Sequence, residues 1–168
     1  LMDVIMGVKK TVDCKIGIAG GHITALTRES MEQYKFIDFA LLGEYEITLK
    51  ELVMSLGSEA EGTNLENIKG IAFRRKNKIC VNERRELLIN LDYLPFPDRE
   101  SLPVKYYHDH VGEAPVKSKQ CVQMLTSKGC PFNCIFCLER RVIYASSLYR
   151  RRNPSDVADE MAFVKEKY

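Results

Sequence analysis

Short apolar runs alternate with polar, helix-spaced stretches through the first half of the chain. Lys15 to Ala19 (KIGIA) reads as a short buried strand running into Gly20-Gly21-His22, and Thr24 to Tyr34 continues with a polar helical pattern. Phe36 to Leu42 (FIDFALL) is a second apolar run, ending at Gly43. Ile47, Leu49, Leu52, Val53 and Leu56 fall on one helical stripe, which predicts a helix over Glu46 to Leu56 with Gly57 as its stop. Strand, helix, strand, helix at this spacing predicts βαβ units and a parallel sheet. Ile68 to Phe73 and Lys78 to Asn82 predict a hairpin that turns through the charged Arg74 to Asn77.

The character changes from Leu91 to Pro115. Pro95, Pro97, Pro103 and Pro115 block regular helix and central strand, so this stretch is expected to be an interdomain linker, tied down by Tyr93, Phe96, Tyr106 and Tyr107. A new strand is expected at Cys121 to Thr126, then a cysteine-bearing loop over Ser127 to Leu138, then a helix starting near Pro154. The chain opens at Leu1 in what reads as the tail of a helix and stops at Tyr168 inside a helical pattern. A fragment of a longer protein is the expectation.

Composition narrows the class. The 168 residues are 45% hydrophobic and 29% charged, with 25 basic against 23 acidic side chains, which is the make-up of a folded globular chain. That charge balance argues against a dedicated nucleic-acid binder or membrane-surface protein, and no apolar run has the length of a membrane span. Six cysteines without an export signal point to a reducing cytoplasm, where clustered cysteines more often bind metal than pair.

Three of those cysteines are clustered. Gly129-Cys130-Pro131-Phe132-Asn133-Cys134-Ile135-Phe136-Cys137 has the spacing Cys-x3-Cys-x2-Cys. A short loop can turn three thiolates toward one point, and soft ligands of this kind favour an iron–sulfur cluster or zinc. Three ligands leave one iron of a four-iron cluster without a protein donor, the open position that substrate binding needs. A structural zinc wants a fourth ligand: Cys121 is the nearest upstream, and no histidine follows Cys137. Structural zinc and an electron-transfer site remain as alternatives.

The spacing, with the aromatic Phe136 just before the third cysteine, resembles the cluster motif of the radical SAM superfamily. The resemblance implies a [4Fe–4S] cluster on Cys130, Cys134 and Cys137, S-adenosylmethionine chelating the fourth iron through its amino and carboxylate groups, and Phe136 packing near the adenine. It further implies reductive cleavage of S-adenosylmethionine to a 5′-deoxyadenosyl radical, a reductant such as ferredoxin or flavodoxin, and an anaerobic cytoplasm. A full barrel of this type takes about 200 residues or more, so this chain is expected to hold only its opening and to be inactive alone.

IGIAGGHITAL (Ile16 to Leu26), DFALLGEYEITLKEL (Asp38 to Leu52), IKGIAFR (Ile68 to Arg74) and NLDYLPFPDR (Asn90 to Arg99), in that order, resemble the region upstream of the barrel in cobalamin-binding radical SAM enzymes. The implied fold is α/β: part of a Rossmann-like, cobalamin-binding-type parallel sheet, followed by the start of a radical SAM (β/α) partial barrel. The implied domains are 1–90, the later part of the cobalamin-binding-like domain; 91–117, the proline-rich linker; and 118–168, the first part of the radical SAM domain. Gly20, Gly21, His22, Gly43 and Glu44 would then lie on loops facing a cobalamin, although the Asp-x-His-x-x-Gly cobalt-ligating motif is absent. Cobalamin-dependent methyl transfer to a small-molecule substrate, or related carbon–carbon chemistry, is the implied reaction. A radical SAM methylthiotransferase is the rival, and it would want three further clustered cysteines upstream.

Other residues have plainer readings. His22 also suits a strand-to-helix turn, and Glu44 and Glu46 suit a helix start. Cys14, Cys80 and Cys121 read as small packed residues, and His108 and His110 as loop histidines. Arg140, Arg141, Arg150, Arg151 and Arg152 form the one strong basic cluster, suited to an anion or to an interdomain contact, with Tyr144 and Tyr149 between them.

Overall fold

The computed structural model describes residues 2–57, 64–103 and 122–168. Its elements run in the order α1 (Met2–Thr11), β1 (Gly17–Ala19), α2 (Gly21–Ala25), α3 (Thr27–Gln33), β2 (Phe39–Leu41), α4 (Glu46–Gly57), β3 (Ile71–Arg75), β4 (Lys78–Val81), β5 (Ser127–Lys128), β6 (Arg150–Arg151) and α5 (Pro154–Lys167). Short 3-10 turns lie at Leu65–Asn67 and Leu91–Tyr93, and a π-helical turn at Glu139–Ile143. The chain divides into two compact units. Leu1–Leu87 with Cys130–Leu148 make the first, and Leu88–Gly129 with Tyr149–Tyr168 the second.

The first unit is built on a sheet of order β1-β2-β3-β4. β1 and β2 are parallel, with Gly17 opposite Phe39, and α2 and α3 make the crossover between them. β2–β3 and β3–β4 are antiparallel, so the expected parallel sheet is a mixed one, within the expected α/β class. β3 and β4 form the predicted hairpin. Lys76 and Asn77 both hold positive φ, 46° and 64°, the mirror-image two-residue turn whose twist suits a hairpin.

The period of two along β2 and β3 sorts their side chains into two cores. Ala40, Leu42 and Ala72 face Ile23, Met31 and Ile37 on one side. Phe39, Leu41, Ile71 and Phe73 face Leu52 and Ile68 on the other. The stripe expected on α4 buries only in part: Leu52 is 3% exposed, whereas Leu49, Val53 and Leu56 are open to solvent. Thr48 is buried instead. Its hydroxyl donates to the Lys69 carbonyl at 2.9 Å and accepts from Arg85 Nε at 2.9 Å, which ties α4 to the approach to β3.

Thr24 to Tyr34 is two helices, broken at Leu26 (φ −123°, ψ 51°). Thr24 and Thr27 Oγ1 donate back to the Gly20 and Ile23 carbonyls at 2.7 and 2.8 Å, the kind of back-bonding that bends a helix. Asp38 anchors the start of β1. Its carboxylate accepts the Ile16 N–H at 2.9 Å and faces Lys9 and Lys15 at 3.2 and 3.5 Å. Burial alone would raise its pKa, but the Ile16 amide and the two lysines outweigh burial and hold it below the ordinary value of 3.8.

In the second unit the expected strand at Cys121–Thr126 is absent over 122–126, and Cys121 lies outside the described residues. Strand pairing is confined to Ser127–Lys128 because Arg150–Arg151 is the segment that meets it, in antiparallel register. α5 starts as its sequence predicts. Pro154 takes the first turn, and Asn153 Oδ1 accepts the Ser155 N–H at 3.1 Å. Of the aromatics expected to tie down the proline-rich stretch, Phe96 packs against Phe163 with ring centroids 6.2 Å apart, while Tyr93 is exposed. Tyr106 and Tyr107 lie outside the described residues.

Glu160, on α5, is fully buried between two guanidiniums. Arg99 Nη2 donates to it at 2.6 Å and also to the Gln123 carbonyl at 3.2 Å, and Arg152 bonds its other oxygen. Burial opposes ionisation, yet the pairing with Arg152 and Arg99 keeps the Glu160 pKa below its ordinary value.

Two predictions follow from these anchors. Asp38→Ala should cost about 1–2 kcal/mol near neutral pH, measured by urea unfolding. Because the folded-state pKa lies below the unfolded value of 3.8, that contribution is complete above the unfolded value and is lost as pH falls through the folded one, so the gap between variant and wild type should close progressively on acidification below the unfolded value. Glu160→Gln leaves the buried Arg99 and the half-buried Arg152 without a counter-charge and should destabilise the second unit by about 3–5 kcal/mol; a loss under about 1 kcal/mol would contradict the ion-pair triad.

Candidate functional site

The loops that follow the parallel strands β1 and β2 lie side by side. After β1 the chain turns through Gly20 (φ 115°), a conformation that side chains resist, and after β2 through Gly43 (φ 70°). Thr24 joins the two loops: its hydroxyl donates to the Gly20 carbonyl at 2.7 Å and accepts the Gly43 N–H at 3.1 Å. In open α/β sheets this carboxyl end is where ligands bind.

The segment after the third cysteine rests on these same loops. A Cβ on Gly21 would overlap Leu138 Cδ2 and stand 3.2 Å from its Cγ. A Cβ on Gly43 would stand 3.1 Å from the Ile143 carbonyl oxygen and 3.2 Å from Arg84 Nη2. The π-helical turn Glu139–Ile143 is closed by the Tyr144 N–H donating to the Glu139 carbonyl at 2.8 Å, and such turns recur at functional sites. Arg84 donates to the carbonyls of both Val142 and Ile143.

The cysteines lead into that turn. Gly129 (φ 89°) redirects the chain into Cys130, and the Cys137 N–H donates to the Cys134 carbonyl at 3.2 Å, closing a tight turn between the second and third cysteines. The Cys137 carbonyl accepts the Arg141 N–H at 3.2 Å, which ties Cys137 to the π-helical turn that follows it. Cys134 is exposed, Cys130 and Cys137 are half-buried, and all three are free thiols. Phe132, Ile135 and Phe136 are 71%, 82% and 87% exposed.

Among the described residues no group of three or more His, Cys, Asp or Glu side chains is gathered closely enough to hold a metal ion, and that includes these three. The donor set still fits an iron–sulfur cluster by its chemistry: three uncommitted soft ligands on one short, exposed loop whose final residue is anchored.

The other expected residues divide. Gly20 is open, with no described atom within 4 Å of a Cβ placed there, and His22 is exposed. Gly21 and Gly43 are covered by the chain itself, and Glu44 is half-buried beside Gly43. Arg150 and Arg152 of the basic cluster serve the second unit. Arg150 donates to the Leu88 carbonyl at 2.8 Å, and Arg152 bonds Glu160 and lies 5.6 Å from the Phe96 ring centroid. Cys80 lies on β4 beside the core and Cys14 precedes β1; His108 and His110 lie outside the described residues. Sequence reasoning missed Thr24, Arg84 and Leu138. The first is one hydroxyl in a polar helix and the second one charge in a charged run; only the two glycine loops hinted that something packs there.

No family profile matches the chain. It is 31% identical over 152 residues to an uncharacterized methyltransferase of Pyrococcus horikoshii, covering 90% of this chain and 30% of that protein. It is 30% identical over 128 residues to the anaerobic magnesium-protoporphyrin IX monomethyl ester cyclase of Synechocystis, covering 76% of this chain and 23% of that one. The chain thus spans less than a third of either relative. Its fold is similar to that of the radical S-adenosylmethionine methyltransferase TsrM from Kitasatospora setae, solved with cobalamin and a [4Fe–4S] cluster bound. The TM-score is 0.59 at 18% identity, over 95% of this chain and 30% of that one.

The packing of Leu138 on Gly21 gives a direct test. Gly21→Ala should destabilise the first unit by about 1–3 kcal/mol, and adding Leu138→Ala should recover part of that loss. Strictly additive effects in the double-mutant cycle would show that the two residues do not touch.

Proposed function

We propose, for a chain that is a relative of the cobalamin-binding radical SAM enzymes, that Cys130, Cys134 and Cys137 hold three irons of a [4Fe–4S] cluster and leave the fourth open to the amino and carboxylate groups of S-adenosylmethionine. The observation that carries this reading is the set of three free thiols on one exposed loop, continuous with a turn seated on the glycine loops at the carboxyl end of β1 and β2. When bound, the cluster supplies the electron that cleaves S-adenosylmethionine. The chain's own part is to bind and orient. The thiolates set the cluster's position, and Phe136, at 87% exposure, offers an apolar face for the adenine.

Gly20 and His22 provide an open backbone and side-chain surface for a cobalamin, and Glu44 an acceptor near the same loop. In this reading residues 1–90 are the later part of a cobalamin-binding domain, 91–117 a linker and 118–168 the opening of a radical SAM domain. The whole protein would transfer a methyl group to a small molecule, drawing electrons from a ferredoxin or flavodoxin in an anaerobic cytoplasm. Among the described residues no helix is long and apolar enough to cross a membrane.

Anaerobic reconstitution with iron and sulfide should load about four of each per chain and give a brown chromophore whose reduced EPR signal shifts on adding S-adenosylmethionine. Cys134→Ala should abolish that loading. Stoichiometric zinc uptake in place of iron, or full loading by the alanine variant, would overturn the reading.

A further inference from the structure

Arg84 is exposed and lies in a charged run, Glu83-Arg84-Arg85-Glu86, where an arginine would ordinarily be a solvated surface residue. Its guanidinium is nevertheless spent on backbone. Nη2 donates to the carbonyls of Val142 and Ile143, 58 and 59 residues further along. Those two carbonyls end the π-helical turn, where no later helical N–H can reach them. A cation there also complements the negative end of the turn's dipole. Partial burial lowers the Arg84 pKa. Room for the arrangement comes from Gly43, whose missing Cβ would otherwise crowd both Arg84 Nη2 and the Ile143 carbonyl.

The turn is therefore held at both ends. Leu138 fills the space over Gly21 at its start, and Arg84 binds its last carbonyls. Cys137 lies directly before Leu138, and its carbonyl accepts the Arg141 N–H inside the same turn. We propose that Arg84 is a positioning residue for the cysteine loop: by clamping the end of the π-helical turn it fixes the backbone of Cys137, and so presets the third thiolate for the cluster. The inference rests on the reading of the three cysteines as iron ligands. Cys134 lies in the exposed part of the loop, ahead of that anchored end.

The test compares wild type, Arg84→Met and Arg84→Lys. Because Arg84 is exposed, either substitution leaves both cores intact. In iron-free protein, amide exchange at Arg141 and Tyr144 should be about tenfold or more faster in Arg84→Met, as expected when charge-assisted bonds closing a local unit are lost. Arg84→Lys, which keeps a charged donor, should recover part of that protection. After anaerobic reconstitution Arg84→Met should take up iron several-fold less completely at limiting iron, and its reduced EPR signal should be broadened by heterogeneous ligand geometry. Arg84→Lys should be intermediate. A wild type that loads four irons while Arg84→Met matches it in both exchange and EPR signal would overturn this inference alone. A wild type that takes up no iron would overturn the ligand reading, and this inference with it. Faster exchange with unchanged iron uptake and EPR signal would reduce Arg84 to a structural clamp and also overturn the inference.

Discussion

The hydroxyl of Thr24 bonds two loops at once, giving its proton to Gly20 and taking one from Gly43. Both loops follow parallel strands, so this one side chain sets the spacing of the surface on which the rest of the first unit's chemistry is arranged. Gly20 has a φ of 115° and Gly43 a φ of 70°, left-handed conformations that favour glycine at both loops. The remaining positions follow. Gly21 lies next to Gly20 and receives Leu138, and Gly43 leaves space for Arg84 and the Ile143 carbonyl. A methyl group at either of those two positions would meet the turn that follows Cys137.

Much of this scaffold is legible in the sequence because local pattern and burial agree. FIDFALL becomes a central strand because its alternation feeds two separate cores, Phe39 and Leu41 to one and Ala40 and Leu42 to the other. The hairpin is legible because Lys76-Asn77 is short, polar and tolerant of positive φ. Asn153-Pro154 marks the start of α5 for equally local reasons. What was not legible is what depends on distant partners. The stripe on α4 has the right period, yet Thr48 takes a buried place because Lys69 and Arg85 offer it bonds. Residues 122–126 carry strand-like composition, but a strand needs a paired neighbour, and the pairing comes only at Ser127–Lys128.

The candidate site divides the same way. Three cysteines and an aromatic at fixed spacing are read directly from the chain, because the chemistry lies in the residue types. Arg84, Thr24 and Leu138 carry no such signature. Arginines illustrate the difficulty. Arg84 looks like a surface charge and binds the cysteine segment's turn, whereas Arg150 and Arg152 look like an anion site and bond Leu88 and Glu160 within the second unit. A guanidinium has five donors, and neither sequence nor net charge says whether they meet a ligand, a carboxylate or the backbone.

The exposure of the cysteine loop bears on how such a site is assembled. Phe132, Ile135 and Phe136 are each at least 71% exposed, which is costly for apolar side chains in a loop with no other task. A cluster ligated on one side by thiolates, with an adenosyl group on the other, would remove much of that surface from water. The cost of leaving the loop open is then bounded by what ligand binding returns. That balance requires a loop that is free where it must close and fixed where it must register. Here the π-helical turn is pinned at Gly21 and Arg84 immediately after Cys137, while the segment from Pro131 to Phe136 is exposed throughout.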